Sequence, residues 1–334
     1  MTGSSAAGNG RKEPRPVGAF SLLALGVNGI VGVGIFFVPA DLARSAPGAG
    51  SILVFAATAI ALLPVAAVLA ILGKRFPEDG GPVVFARAAF GEFPSFVVGW
   101  VTYVSAVASA AAVMSGLTGA VAPSLGAASS LAQRLLAAGL VTGLALLVAA
   151  GIVLSARVWT TLTVLKLIPL VALVAAFLAS RPPLPAAWAP TFDPSWLGAG
   201  LTAMFALQGF EIVPVIAGQT RAPERAVPWA TVGALAFSAV LYVGLQTACV
   251  VALPALASSR APLAEAAGVL GGPLLARVVI LGTSVSSLGI CMGMMVTTPR
   301  YLSALAKDGR SPSASTGSAR AGCLCGRSPS PGCW

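Results

Sequence analysis

The chain has 334 residues, of which 57% are hydrophobic and 9% charged, with a mean hydropathy of +0.92. A soluble domain carries about 25% charged residues, so this composition excludes one and points to a protein that crosses a membrane several times. The absence of histidine excludes His-based catalysis and His-ligated metal, and the net charge of +10 does not mark a nucleic-acid partner, because the lysines and arginines sit between apolar runs, where they set topology.

Residues 1–16 are polar, with Gly, Ser and Pro, and read as a disordered cytoplasmic tail. Arg11, Lys12 and Arg15 ahead of an apolar run resemble a signal peptide. Seven more apolar runs follow, so the first run reads as a span and not as a cleaved leader. A span needs about 20 apolar residues. Candidate spans lie near 17–40, 50–72, 94–117, 132–154, 158–180, 196–218, 228–253 and 273–302, eight in all. Basic residues concentrate on one side of this pattern. Arg11, Lys12, Arg15, Lys74, Arg75, Arg87, Arg157, Arg221, Arg225, Arg300, Lys307 and Arg310 fall on the N-terminal side, twelve in all, against Arg44, Arg134, Arg181, Arg260 and Arg277, five in all, on the other. This bias predicts a multi-pass protein of the cytoplasmic membrane with its N-terminus in the cytoplasm.

Inside the first span, Gly26, Gly29, Gly32 and Gly34 fall within nine positions. Each costs a helix interior about 1 kcal/mol relative to alanine. Two readings stand: close helix packing through small residues, or a backbone break whose freed N–H and C=O groups hold a polar solute. Between the second and third spans, Gly80, Gly81 and Pro82 stop one helix and start another, and 83–90 reads as a short helical lead into the third span. The linker near 181–194 is proline-rich and semi-rigid.

Two charged residues lie inside spans: Lys166 in the fifth and Glu211 in the sixth. Such a charge costs about 2.5–3.5 kcal/mol at a span centre. Lys166 either snorkels from a span end or faces a cavity. Glu211 either bonds nearby broken backbone or takes part in proton movement. Gly209, Pro214 and Gly218 interrupt the sixth span as glycines interrupt the first. Two interrupted spans, five apart, point to an inverted repeat with a binding site between them. Repeat one would cover about 17–180, and an incomplete repeat two about 196–302.

Five motifs in order resemble the amino acid–polyamine–organocation superfamily of permeases. They are Gly32-Val33-Gly34-Ile35-Phe36; Gly80-Gly81-Pro82 with Gly91 and Gly99-Trp100; Lys166-Leu167-Ile168-Pro169; Gly209-Phe210-Glu211 followed by 217–228; and Pro299-Arg300-Tyr301 followed by 306–310. The resemblance implies an all-α, five-plus-five inverted-repeat fold with discontinuous helices 1 and 6, and about 8 of an expected 12 spans present. It implies that a substrate carboxylate meets the amides of Val33 and Gly34, beside Gly32. It places the substrate ammonium on carbonyls near Ile30, Phe205 and Gln208, next to Gly209, with Phe205 closing over it. Lys166 matches a span-5 lysine that reaches the unwound part of span 1 in proton-coupled members, taking the place of a sodium ion. Glu211, Ser286 and Ser287 join it as proton-coupling candidates. Gln219 stands where many members carry an acidic residue, a departure that sets a cytoplasmic charge contact in question.

After Asp308-Gly309-Arg310-Ser311-Pro312 the apolar pattern stops. Residues 311–334, with Cys323, Cys325 and Cys333, read as a disordered tail of the kind a frameshift produces. The expected function is secondary transport of an amino acid or related amine by proton symport or exchange. Its partners are that small molecule, protons and the lipid bilayer, without cofactor, metal or nucleic acid. The alternative is a truncated membrane protein that does not transport, or a fragment needing a complementing partner. An enzyme is disfavoured by the lack of acidic clusters, histidine and any nucleophile–base pair.

Overall fold

A computed structural model describes residues 17–121, 129–183 and 195–306. The expected tails at 1–16 and 311–334, and most of the proline-rich linker, lie outside the described residues. The described residues are helical, and the one bridge between extended segments pairs Val17 with Thr220. The fold is all-α, as expected.

The first span is not one helix. α1 (Ala19–Ile30) stops, a 3₁₀ turn covers Gly34–Phe36, and α2 (Val38–Ser45) follows. Pro39 fits the first turn of α2 because a backbone N–H there would lack a helical partner anyway. Then come α3 (Ala49–Arg75), α4 (Pro82–Phe90), α5 (Glu92–Val121), α6 (Ser130–Ala149) and α7 (Ile152–Ser180). The sixth span is also broken, into α8 (Trp196–Leu207) and a 3₁₀ segment over Phe210–Gln219. α9 (Pro223–Ala252) and α10 (Pro262–Ala306) complete the described fold, with α10 kinked at Gly272, whose φ is 80°. Among the described residues, seven stretches are long and apolar enough to cross a membrane, and α1 falls short because the first span is split.

One expected boundary moves. The turn between the fourth and fifth spans lies at Ala150–Gly151, not near 155–157. Gly151 takes φ 120°, a region that favours glycine, and the Ser155 N–H donates to its carbonyl at 3.1 Å. Arg157, expected in a loop, therefore lies in the first turns of α7.

α3 packs along α9, α7 along α10, and α1 lies against both α7 and α9. The main apolar core forms among them, with Phe55, Leu170, Leu207, Tyr242 and Leu245 buried. Outward-facing Ile60, Ile71, Phe93, Leu197 and Val240 are exposed, the pattern of a bundle whose solvent is lipid. α6 contributes no buried side chain and sits at the rim.

The glycines of the first span do two jobs. A Cβ on Gly26 would stand 2.7 Å from Val213 and 2.8 Å from Ala234, and one on Gly29 would stand 2.8 Å from the Gly209 carbonyl oxygen. These two let α1 approach its neighbours. Replacing Gly26 with valine is expected to overpack this seam and lower stability by about 1–3 kcal/mol. Thermal unfolding of detergent-solubilised protein measures it, and an unchanged midpoint would contradict the packing role.

Candidate functional site

A helix that ends inside the apolar bundle leaves carbonyls that water cannot reach. At the end of α1 a buried lysine supplies the missing donors. Lys166, fully buried on α7, donates from Nζ to the Asn28 carbonyl at 3.0 Å, to Asn28 Oδ1 at 2.7 Å, and to the Val31 carbonyl. A cation there also complements the negative end of the α1 dipole. Ser286 of α10 donates to the same Val31 carbonyl at 3.3 Å. Ser287 does not join them: its hydroxyl donates to Thr283 within α10 at 3.0 Å.

The Ile30 carbonyl, expected to receive a substrate ammonium, already accepts two hydrogen bonds. They come from the Tyr242 hydroxyl and from the Gly32 N–H, both at 2.8 Å. Among the described residues no hydrogen bond involves the N–H of Val33 or Gly34. These amides open the second half of the broken span, where free N–H groups favour an anion.

The break in the sixth span lies against the first. Gly209 has φ 123°, and a Cβ on it would collide with the carbonyl group of Gly29 and lie 2.6 Å from the Ile30 nitrogen. Backbone meets backbone here. Glu211 caps this break: its Oε2 accepts the Gly209 N–H at 2.7 Å, and it makes no hydrogen bond to Lys166. Gln208 is exposed, and Phe205 is 74% exposed, away from the apolar core.

A cavity of about 900 Å³ opens beside Val33. Its walls come from the first span (Val33, Phe36, Phe37), from α5 (including Ala112, Val113 and Leu117) and from α10. Among the described residues, Thr283, Ser284 and Ser287 supply the only polar side chains of its lining, and no charged residue lines it.

A second polar cluster lies at the Gly73–Phe93 end of the bundle. Asp79 Oδ1 accepts the Gly218 N–H at 2.9 Å, and Oδ2 accepts Gln219 Nε2 at 3.0 Å. Gln219 Oε1 in turn accepts Arg300 Nη2 at 3.2 Å, and Arg300 Nε stands 3.8 Å from Asp79. A charge contact thus exists at this end without an acidic residue at position 219. Asp79 supplies the carboxylate and Gln219 links it to Arg300. Gly80 N–H to the Val215 carbonyl at 3.0 Å and Arg87 to the Ala304 carbonyl at 2.9 Å close the same end.

Sequence reasoning missed Asn28, Tyr242 and Asp79. The available signal for Asn28 was an amide side chain inside the first apolar run. Asp79 lay in a loop already expected to be polar and carried no signal of its partners.

A family model described as amino acid permease matches residues 17–319. An uncharacterized transporter of Mycobacterium tuberculosis is 30% identical over 300 residues, covering 88% of this chain and 66% of its own length. The branched-chain amino acid permease BcaP of Bacillus subtilis is 27% identical over 92% of this chain and 70% of its own. Human cationic amino acid transporter 4 is 26% identical over 88% of this chain and 50% of its own. The chain spans 66% of the length of the first curated relatives it matches.

Replacing Asp79 with alanine strips the Gly218 and Gln219 donors of their acceptor and leaves Arg300 without its ion pair. The expected loss is roughly 1–3 kcal/mol of stability, read by thermal unfolding, with Asp79→Asn retaining part of it. Equal midpoints for wild type and Asp79→Ala would show that the cluster holds nothing together.

Proposed function

Because the chain belongs to the amino acid permease family, we propose that it moves an amino acid or related amine across the cytoplasmic membrane as a secondary transporter, by proton symport or exchange. The observation that carries this reading is the pair of unpartnered N–H groups at Val33 and Gly34, set at a helix break beside an apolar cavity. A carboxylate on those amides puts the rest of the solute within reach of that cavity. Its lining of apolar and hydroxyl side chains suits an uncharged side chain better than a cationic one, since an unpaired charge in such a setting costs several kcal/mol. The branched-chain permease among the relatives fits this preference more closely than the cationic transporter does.

The two repeats, about 17–180 and 196–302, would rock about the seam between the two breaks. In the orientation that the basic residues favour, the N-terminus and the Asp79 cluster face the cytoplasm, and the cavity lies toward the other side. Lys166 would carry the coupled proton, because its amine holds the end of the first half-helix. Phe205 and Gln208 would meet substrate only after the sixth span moves. Ile30 would offer its carbonyl only after Tyr242 withdraws. A second reading draws on the 66% coverage of the relatives: the chain binds the solute but moves it only together with a complementing partner.

Uptake and exchange of labelled amino acids in proteoliposomes, with and without a pH gradient, test the proposal. Neutral apolar amino acids are expected to compete and lysine or arginine to fail. Silence toward every amino acid rejects transport by this chain, and binding measured alongside separates the second reading. Val33→Pro removes one N–H donor at a residue whose φ of −68° proline already adopts. It is expected to weaken substrate binding about tenfold, the equivalent of about 1.4 kcal/mol. Unchanged affinity would remove the carboxylate from those amides. Lys166→Ala is expected to abolish the response of uptake to the pH gradient.

A further inference from the structure

Three elements meet on Asn28. Its Oδ1 accepts from Lys166 Nζ at 2.7 Å, and its Nδ2 donates to the Gly289 carbonyl of α10 at 2.6 Å. Its backbone carbonyl accepts from the same Nζ at 3.0 Å. Both side chains are fully buried. The amide sits in a notch cut into α10 by two glycines. A Cβ on Gly289 would lie 2.6 Å from Asn28 Oδ1, and one on Gly293 would lie 3.0 Å from Nδ2.

A lysine ammonium has three N–H donors and no acceptor. Three oxygens receive them: Asn28 O, Asn28 Oδ1 and Val31 O. The amide therefore stands in the orientation that the charged form requires. An amine that has lost its proton keeps two donors and gains a lone pair, so one of those oxygens would face a lone pair. The two backbone carbonyls are fixed by the end of α1. The amide alone can answer, by turning about its last torsion. Nδ2 then donates to the amine, and Oδ1 is turned against the Gly289 carbonyl, oxygen to oxygen, with its donor gone.

We propose that Asn28 is a positioning residue that converts the protonation state of Lys166 into attachment or release of α10 at Gly289. The inference rests on the reading of Lys166 as the proton-carrying group. Among the described residues, no charged side chain pairs with the amine. On α10, Ser286 shares the Val31 carbonyl with the amine and Gly289 lies beside it; Thr163 of α7 is bonded to the Ala24 carbonyl at 3.2 Å, and Tyr242 of α9 is held on the Ile30 carbonyl. Tyr242 is the one titratable group among these. Cys291 of α10 turns to Ala110 of α5, and Cys249 of α9 turns to the Pro262 carbonyl. Arg134, Arg157, Glu224, Arg225, Glu265 and Arg277, on the packed elements, are exposed, and Arg300 is held at Asp79.

The test is hydrogen–deuterium exchange of the full chain in lipid nanodiscs, from mildly acidic to alkaline pH, with labelling times scaled to the intrinsic exchange rate. Segments 24–31 and 286–293 are followed. In the wild type, protection in both is expected to fall about tenfold in one transition as pH rises, equivalent to about 1.4 kcal/mol. Lys166→Met and Asn28→Leu are each expected to flatten that profile. Gly289→Ala displaces the amide without removing it, and is expected to flatten the profile too, which covers the case of a misfolded Asn28→Leu. A transition lost in Lys166→Met but kept in Asn28→Leu or Gly289→Ala overturns the role of Asn28 and leaves the proton reading standing. A wild-type profile as flat as that of Lys166→Met overturns both.

Discussion

The arrangement depends on one buried cation filling the end of a broken helix. α1 stops within the apolar bundle, and its last carbonyls need donors that lipid cannot provide. Lys166 provides them from α7, a span remote in sequence. Without it the break would expose unsatisfied carbonyls. Without the break, Lys166 would be a bare charge in an apolar setting. Each expensive feature offsets the other, and the offset ties the first span to the fifth. Ser286 and the Asn28 amide extend the tie to α10. The polar node thus joins three helices at the depth where a solute site is expected.

A second consequence is polarity along the bundle. The Gly73–Phe93 end is closed by directional bonds: Asp79 with Gly218 and Gln219, Arg300 with Gln219, Gly80 with Val215, Arg87 with Ala304. The cavity beside Val33 has no comparable polar closure and is walled by apolar and hydroxyl side chains. One end is therefore held by directional bonds, and the other by apolar contact alone.

Much of this was legible in the sequence. Glycine spacing located both breaks, because a span cannot tolerate that many glycines without a reason. Lys166 stood out because a charge at such depth is costly. What periodicity could not show was which glycine served which purpose: Gly26 admits the side chains of Val213 and Ala234, Gly29 admits the Gly209 backbone, and Gly34, with Val33 before it, leaves its N–H group free. Nor could it show that Tyr242, more than two hundred residues away, occupies the Ile30 carbonyl. Gln219 drew attention as a departure from the family pattern, but its partners could not be named from the sequence. The fold joins Asp79 to Arg300 through the Gln219 amide, which both donates and accepts. Each miss concerns a partner brought from far along the chain, which composition and spacing do not encode.

The contact between Gly29 and Gly209 carries no side chain on either face. Elsewhere in a protein, a change on one surface can be met by a complementary change on the other. Here there is little to trade, because a Cβ added to either glycine meets the backbone of the other. The cavity wall is the opposite case, being built from side chains on three helices. Replacements such as Ala112 or Thr283 would alter its shape without touching the seam. Changes in the shape of the cavity are thereby separated, residue by residue, from the seam, where an added side chain has no room.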